Sequence, residues 1–218
     1  MQKALQVIRY EGLGIFLSKL FNYLRCMIFS RGTYLIFENT LDVPHLTIEP
    51  AGAKLEVVAS LSDLVELSRK GYDLSRLNLD LVRTRVANQA IVFCIFISNR
   101  LVHRSWVSTC RDADIDPIAP HLDYEASAYI GDCLTWPEYR GLGLYPFTLS
   151  VICRALKSKG FPKAMLTVAP DNKSSIFGVT KAGFQQVGKG QLVQFFLWSD
   201  WQVHNKTQQN HRRGSGGQ

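Results

Sequence analysis

The sequence shows few features of membrane, secreted or metal-binding proteins. No uncharged apolar run reaches the roughly 18 residues that a bilayer span needs. The N-terminus has no basic region followed by an apolar core and a small-residue cleavage site, so no signal peptide is predicted. The five cysteines are widely spaced, with no CxxC pair and no zinc-type Cys/His cluster. These absences favour a cytoplasmic protein with reduced thiols and without a bound metal.

The composition is that of an ordinary globular protein. The chain has 218 residues, 46% of them hydrophobic and 20% charged, enough for one sizeable core. The net charge of +7 favours anionic partners such as phosphates, nucleotide cofactors, nucleic acid or acidic lipid. No RNA-binding motif or aromatic-rich basic patch is present, so nucleic acid is not the expected partner.

Three regions are predicted along the chain. Residues 1–45 form an extension with an amphipathic helix and a strand, residues 46–200 form the main domain, and residues 201–218 form a disordered tail. The tail is predicted because the composition turns to Asn, Gln, Arg, Gly and Ser after Trp201.

Residues 13–28 predict an amphipathic helix with a basic polar face. Its apolar residues recur every three or four positions and are Leu13, Phe16, Leu17, Leu20, Phe21, Leu24, Met27 and Ile28. Such a helix packs on its own domain or on a second copy in a homodimer, or it lies on an anionic membrane surface. Both alternatives stay open for residues 1–31.

Hydrophobic periodicity and turn residues predict the remaining elements. The predicted strands span residues 33–38, 46–49, 90–97, 101–109, 125–135, 163–168, 184–187 and 191–198. The predicted helices begin at Ser60 or Ser62, span residues 74–87 and 144–158, and run from Asp171 or Asn172 to Lys181. Residues 111–122 are predicted to be a loop, and His103 on the 101–109 strand is expected to be structural or exposed rather than catalytic.

The strand at 125–135 has a polar face. If its side chains alternate regularly, one face carries Glu125, Ser127, Tyr129, Cys133 and Thr135. Polar groups on an interior strand need hydrogen-bond partners or a wet cleft. This face is therefore the predicted cleft wall, with a bulge at Gly131–Asp132 that changes the side taken by Asp132.

A glycine-spaced loop connects this strand to the next helix. Gly141 and Gly143 carry no Cβ, so a ligand's phosphates can approach the backbone closely. The free N–H groups of the first helical turn and the helix dipole favour an anion there. The loop is thus the predicted anion site.

The order of these elements resembles the GNAT superfamily of acyl-CoA-dependent N-acetyltransferases. The cofactor loop of that family matches Arg140-Gly141-Leu142-Gly143-Leu144-Tyr145, preceded by Pro137-Glu138-Tyr139. Its second motif, an Asn eleven residues before a Gly-Phe pair, matches Asn172 and Gly183. The resemblance covers residues 46–198.

The resemblance implies an α+β fold: a mixed, mostly antiparallel sheet flanked by helices, with central strands that splay apart. It also implies acetyl-CoA as cofactor and the primary amine of a small molecule, such as an amino sugar, as acceptor. The implied cofactor-binding residues are Leu134, Thr135, Arg140, Gly141, Leu142, Gly143, Leu144, Tyr145, Asn172 and Ser175. The thioester is expected where the strands at Leu134 and Val168 separate.

Two residues depart from the family pattern. Tyr145 stands where the loop usually ends in Gly or Ala, and Val179 stands where many members carry a tyrosine that protonates the thiolate. The thiolate therefore leaves unassisted or through water, or Tyr129 or Tyr145 acts, or the chain is a catalytically silent GNAT-like module that binds through its N-terminal helix. Glu125 and Asp132 are the candidate bases, which makes Glu125, Tyr129 and Asp132 the candidate catalytic residues.

Overall fold

The computed structural model describes residues 29–42, 48–111, 115–121, 127–195 and 198–205. The predicted helix at 13–28, the candidate base Glu125 and residues 206–218 of the predicted tail lie outside these ranges.

The described strands form one mixed sheet. They are β1 (Phe29–Asn39), β2 (Ala53–Val58), β3 (Ile91–Ile97), β4 (Arg100–Ser108), β5 (Ala128–Thr135), β6 (Ala164–Val168), β7 (Gln185–Phe195) and β8 (Trp198–Asn205). The strand order is β2-β3-β4-β5-β6-β1-β7-β8, and only the β5–β6 pair is parallel. The predicted mixed, mostly antiparallel sheet is confirmed.

The α-helices among the described residues are α1 (Leu61–Arg69), α2 (Leu79–Ala87), α3 (Leu144–Ser158) and α4 (Lys173–Lys181). Ser60 begins α1 with a reciprocal capping box to Asp63, as its sequence pattern predicts. The predicted helix at 74–87 starts later, at Leu79, because the side chain of Asn78 accepts the N–H of Leu81 and fixes the first turn there.

The two faces of the sheet carry separate apolar cores. On the α1/α2 face, Leu67 and Val82 pack with Trp106 of β4. On the α3/α4 face, Leu149 of α3 and Val179 of α4 pack against strands β5 and β6. A side chain of a central strand therefore points either toward α1 and α2 or toward α3 and α4.

Strand β1, which falls in the predicted extension, lies in the middle of the sheet. It pairs antiparallel with β6 on one edge, where Leu35 faces Val168, and with β7 on the other, where Tyr34 faces Gly190. Residues 29–39 are therefore an integral part of the sheet that holds the main domain. They also fix β6, one of the two strands that separate at the site.

The strand predicted at residues 46–49 is wrong in position. Ile48 and Glu49 are not in a strand, and β2 instead begins at Ala53, after the turn at Gly52. Alternating Lys54 and Glu56 hide this strand from a search for apolar runs, because it lies at the edge of the sheet with one paired neighbour.

The chain between residues 184 and 205 also differs from the prediction. The two predicted strands at 184–187 and 191–198 are covered mainly by one strand, β7, and residues 201–205 of the predicted tail belong to β8. Glycines normally weaken a strand. Gly190 is accommodated because the ring of Trp201 covers it, and a Cβ at this position would overlap that ring.

Candidate active site

Strands β5 and β6 separate in the middle of the sheet. Their parallel pairing joins Ala128 to Ala164 and ends with Ile130 opposite Leu166. The remaining residues of β5, through Thr135, have no β6 partner. The strands splay on the approach to Leu134 and Val168, as the fold implied by the resemblance requires.

A β-bulge at Gly131–Asp132 redirects the side chains of β5. Between its pairs with Arg104 and Trp106 of β4, β5 contains one extra residue, and Asp132 has a φ of 42°. Tyr129 consequently packs on the α1/α2 face, whereas Cys133 packs on the α3/α4 face. The bulge is confirmed, but the single polar face predicted for Tyr129 and Cys133 is wrong because the bulge breaks the alternation.

A cleft of about 590 Å³ opens at this splay. Its walls are the end of β5, the loop before α3 with the first turn of that helix, and one face of α4 as far as Lys181. Nine of the ten residues implied to bind a cofactor line it. The exception is Leu142, which is 52% exposed.

The loop before α3 has the geometry of an anion cradle. Gly141 and Gly143 have φ values of 83° and 75°, and nothing lies within 4 Å of a Cβ built on either. Gly143 is the N-cap of α3 and offers no side chain to the first N–H groups of the helix. Arg140 and Lys181 are the cations of the lining, and no carboxylate lines the described cleft. The cleft therefore favours an anionic ligand.

The opposite wall is built by the start of α4. Asn172 accepts the N–H of Ser175 at 3.1 Å and the hydroxyl of Ser174 at 3.0 Å, so its side chain caps the helix. Ser175 and Gly178 face the cleft. The spacing of Asn172 from Gly183 therefore reflects a capped helix that forms one wall of the site.

Comparison with solved structures identifies this arrangement. No protein-family model matches the sequence, and no significant match is found among curated proteins. A GCN5-related N-acetyltransferase from Sphaerobacter thermophilus matches 87% of the chain with a TM-score of 0.50 and 13% identity. The chain has the GNAT fold.

Two further solved structures have a similar TM-score but belong to proteins whose names state no activity. A Drosophila protein matches 84% of the chain with a TM-score of 0.51 and 11% identity, and a functionally unknown conserved protein from Staphylococcus epidermidis matches 80% with a TM-score of 0.50 and 8% identity. The chain spans 58% and 66% of these two structures and 56% of the Sphaerobacter enzyme. At such identities the likeness describes the fold alone.

Within this GNAT fold, Tyr145 points into the cleft. Its ring lies over Gly178 of α4 and 5.8 Å, centroid to centroid, from the ring of His103. Its hydroxyl interacts with Cys133 and Ser175, and burial raises its pKa well above the usual value of 10. Tyr145 therefore remains protonated at neutral pH.

Val179 does not reach the cleft. It is fully buried on the α3/α4 face and packs in the core between the helices and the sheet. On the cleft side of α4, the hydroxyl of Ser175 interacts with Tyr145. Position 179 therefore offers no proton donor to the cleft.

The floor of the cleft contains a neutral histidine that the sequence did not single out for this position. His103 is fully buried, with Nδ1 2.7 Å from the Thr135 hydroxyl and Nε2 2.9 Å from the Ser105 hydroxyl. Burial lowers its pKa from 6.5 to about 3, so the ring is neutral at pH 7. Burial also raises the pKa of the neighbouring Cys133 thiol to about 12, which makes it a poor nucleophile.

The candidate base Asp132 lies on the other face of the sheet. Its carboxylate accepts hydrogen bonds from Arg85 at 2.5 Å and from Arg104 at 2.8 and 3.1 Å. It does not line the cleft. This geometry ties α2, β4 and the bulge of β5 together.

The candidate residue Tyr129 also lies on the α1/α2 face. Its hydroxyl donates to Asp116 Oδ2 at 2.7 Å and is 2.9 Å from Thr167 Oγ1 on β6. The sequence placed Asp116 in a loop with no assigned function. Only the folded chain brings this carboxylate to β5.

Neither a candidate metal cluster nor a membrane-spanning helix is found in the part of the chain that the structure describes. Those residues contain no group of three or more His, Cys, Asp or Glu side chains placed to hold a metal ion. None of the described helices combines the length and apolarity that crossing a membrane requires.

Proposed function

We propose that this chain is a member of the GNAT superfamily and transfers an acetyl group from acetyl-CoA to a primary amine of a small molecule, such as an amino sugar, in the cytoplasm. One observation carries the proposal: the cleft joins an open glycine loop at a helix N-terminus to the point where two parallel strands separate. A phosphate-bearing donor and an edge of free backbone groups meet there.

The cleft residues fit coenzyme A in charge and shape. Gly141 and Gly143 leave open space beside free N–H groups, which suits a pyrophosphate. Arg140 and Lys181 add positive charge at the same site. Beyond Ile130, the edge of β5 that faces β6 has no strand partner, so its N–H and C=O groups are available to an extended amide chain.

Acetyl-CoA supplies the activated acyl group when it is bound, and the residues of the chain orient the reactants and control protons. Tyr145 is the proton donor that this cleft offers, because it holds its proton at neutral pH and its hydroxyl lies inside the cleft. A protein that supplies the acid from α3 has no need of a tyrosine at position 179.

Calorimetry with acetyl-CoA tests the donor site directly. We expect binding in the micromolar range, and no heat at millimolar acetyl-CoA would exclude the enzyme. Mass spectrometry of reactions with glucosamine, spermidine and an amino acid then detects the acetylated product, which avoids thiol reagents that report on the protein's own cysteines.

A catalytically silent module remains the alternative, and the same experiments separate it. A silent module binds acetyl-CoA, or fails to bind it, without acetylating any amine in the panel. In that case Tyr145→Phe leaves every measured property except stability unchanged. For the enzyme, Tyr145→Phe retains acetyl-CoA binding and lowers turnover by about 10²-fold.

A further inference from the structure

A second polar cluster lies at the same splay, on the face opposite the cleft. Tyr129 belongs to a paired position of β5, but its hydroxyl reaches Thr167, one residue beyond the last β5–β6 pair. Asp116 Oδ2 lies 2.5 Å from the position of a Cβ built on Gly131, the first residue of β5 after its last pair with β6. The two functional groups therefore flank the opening between the strands.

Asp116 is held rigidly by the turn that follows it. Its Oδ1 accepts the backbone N–H groups of Ile118 at 2.8 Å and Ala119 at 3.0 Å, while Oδ2 accepts the Tyr129 hydroxyl. Burial raises the pKa of Asp116, outweighing these hydrogen bonds, which lower it. The carboxylate is thus a better proton acceptor than an exposed aspartate.

Neighbouring arginines balance the charge of Asp132, and the indole N–H of Trp106 lies close by. Asp132 binds Arg85 and Arg104, and Arg85 also donates to the carbonyl oxygen of Ile115 at 2.6 Å, which anchors the segment that carries Asp116. Trp106 lies opposite Gly131 on β4, and its buried indole N–H has no hydrogen-bond partner among the described residues.

We propose that Asp116 and Tyr129 form the acceptor side of the site: Tyr129 takes the proton of a primary ammonium group while passing its own proton to Asp116. The N–H bond of the ammonium breaks as an O–H bond forms on Tyr129 Oη, and the original Tyr129 proton moves to Asp116 Oδ2. The ammonium becomes a neutral amine, Tyr129 stays neutral, and the carboxylate becomes a carboxylic acid. The proposal rests on the proposed function.

The proposed donor and acceptor groups lie on opposite faces of the sheet. Cys133, Tyr145 and Ser175 lie on the α3/α4 side, and Tyr129 and Asp116 lie on the α1/α2 side. The gap between β5 and β6 lies between these two sides. Donor and amine then approach from opposite sides of the sheet and meet in its plane, which places the two reactants in line without competing for one pocket.

The test uses the full chain, with n-butylamine as the probe and n-butanol as its matched control. The carboxyl ¹³C resonance of Asp116, assigned by its loss in Asp116→Asn, is followed against pH in the ligand-free protein. We expect it to titrate above its usual value of 3.8 and to shift on addition of n-butylamine but not of n-butanol. If the Asp116 resonance shifts with neither probe, or shifts equally with both, the proposal is overturned.

Kinetics provide the second measurement. The charged groups beside the pair are Asp132 on β5, Arg85 on α2 and Arg104 on β4, and the titratable Cys133 of β5 interacts with Tyr129 from the other side of the sheet. With n-butylamine as acceptor, Asp116→Asn is expected to lower kcat/KM about 10²-fold and to remove its acidic limb, while the affinity for acetyl-CoA stays unchanged. The exposed Asp80→Asn is the control.

The outcomes separate this proposal from the proposed function. A wild-type protein that fails to bind acetyl-CoA contradicts the proposed function, whatever the carboxyl resonance shows. Normal acetyl-CoA binding and turnover with an unchanged pH profile in Asp116→Asn contradicts only the relay. Tyr129→Phe serves as the conservative second variant, because it removes the hydroxyl and retains the ring in the core.

Discussion

The ring of Tyr145 lies directly against the α-carbon of Gly178: a Cβ built on Gly178 comes within 2.8 Å of Tyr145 Cδ1. The tyrosine that departs from the family loop and the glycine on α4 are therefore complementary in shape. Gly178 makes room for the ring, and the ring carries its hydroxyl toward Cys133 and Ser175. Tyr145 consequently lies inside the cleft and leaves the space beside Gly141 and Gly143 open.

We predict that the effect of Gly178→Ala on stability changes sign with the residue at position 145. In the wild type the new methyl group overpacks against the ring, at a cost of roughly 1–3 kcal/mol that exceeds the gain of about 1 kcal/mol from better helix propensity. In a Tyr145→Ala background only the propensity gain remains. Urea unfolding of the four proteins measures this coupling. Destabilisation of equal size in both backgrounds contradicts the contact.

The glycine loop gives a second prediction. Gly143→Ala is expected to weaken acetyl-CoA binding about tenfold, or roughly 1.4 kcal/mol, because its methyl group enters the open space beside the N-terminus of α3. Gly160→Ala is the matched control: it also has a positive φ, of 82°, and open surroundings, but it follows the far end of α3.

Both substitutions place an L-residue in the left-handed region and cost about 1–2 kcal/mol of stability. Their melting temperatures should therefore fall by similar amounts, while calorimetry separates them. Equal acetyl-CoA affinity in the two variants would remove the loop from the donor site.

Local signals explain what the sequence predicted well. The bounds of α3, Leu144 to Ser158, agree with the prediction because a left-handed glycine precedes the helix and another follows it. The capping side chain of Asn172 marks the start of α4 in the same way. Such signals act within a few residues and can be recognised without knowing the rest of the fold.

The features that the sequence did not predict depend on contacts between residues far apart in the chain. The place of β1 between β6 and β7 joins residues separated by more than a hundred positions, and nothing within the strand itself encodes that neighbour. Asp116 meets Tyr129 only because its loop folds over the α1/α2 face. The bulge at Asp132 was recognised from Gly131, but a bulge reverses the face of every later side chain, and Cys133 was placed accordingly on the wrong side.

Asp132 gives the third prediction. Asp132→Asn retains a residue type that tolerates its positive φ but leaves Arg85 and Arg104 without their shared carboxylate. The two arginine side chains are only 11% and 17% exposed, so we expect a loss of roughly 1–3 kcal/mol in unfolding free energy.

The exposed pair of Asp80 and Arg83 supplies the comparison, and Asp80→Asn should change stability very little. Chemical denaturation at constant pH measures both. An Asp132→Asn protein with wild-type stability and lost turnover would instead assign Asp132 the role of base.

His103 makes the stability of the fold depend on pH. Its folded pKa of about 3 lies below the usual 6.5, so between these values the unfolded state binds a proton that the folded state does not. Unfolding free energy therefore falls as the pH decreases below 6.5, by up to about 1.4 kcal/mol per pH unit, and the loss from this residue reaches about 2 kcal/mol at pH 5. Urea titrations at pH 7 and pH 5 should show this loss in the wild type and a loss smaller by that amount in His103→Gln. ¹⁵N NMR of the wild type should show a neutral imidazole at pH 5. A protonated ring at pH 5, or equal pH dependence in both proteins, contradicts the buried, neutral histidine in the cleft floor.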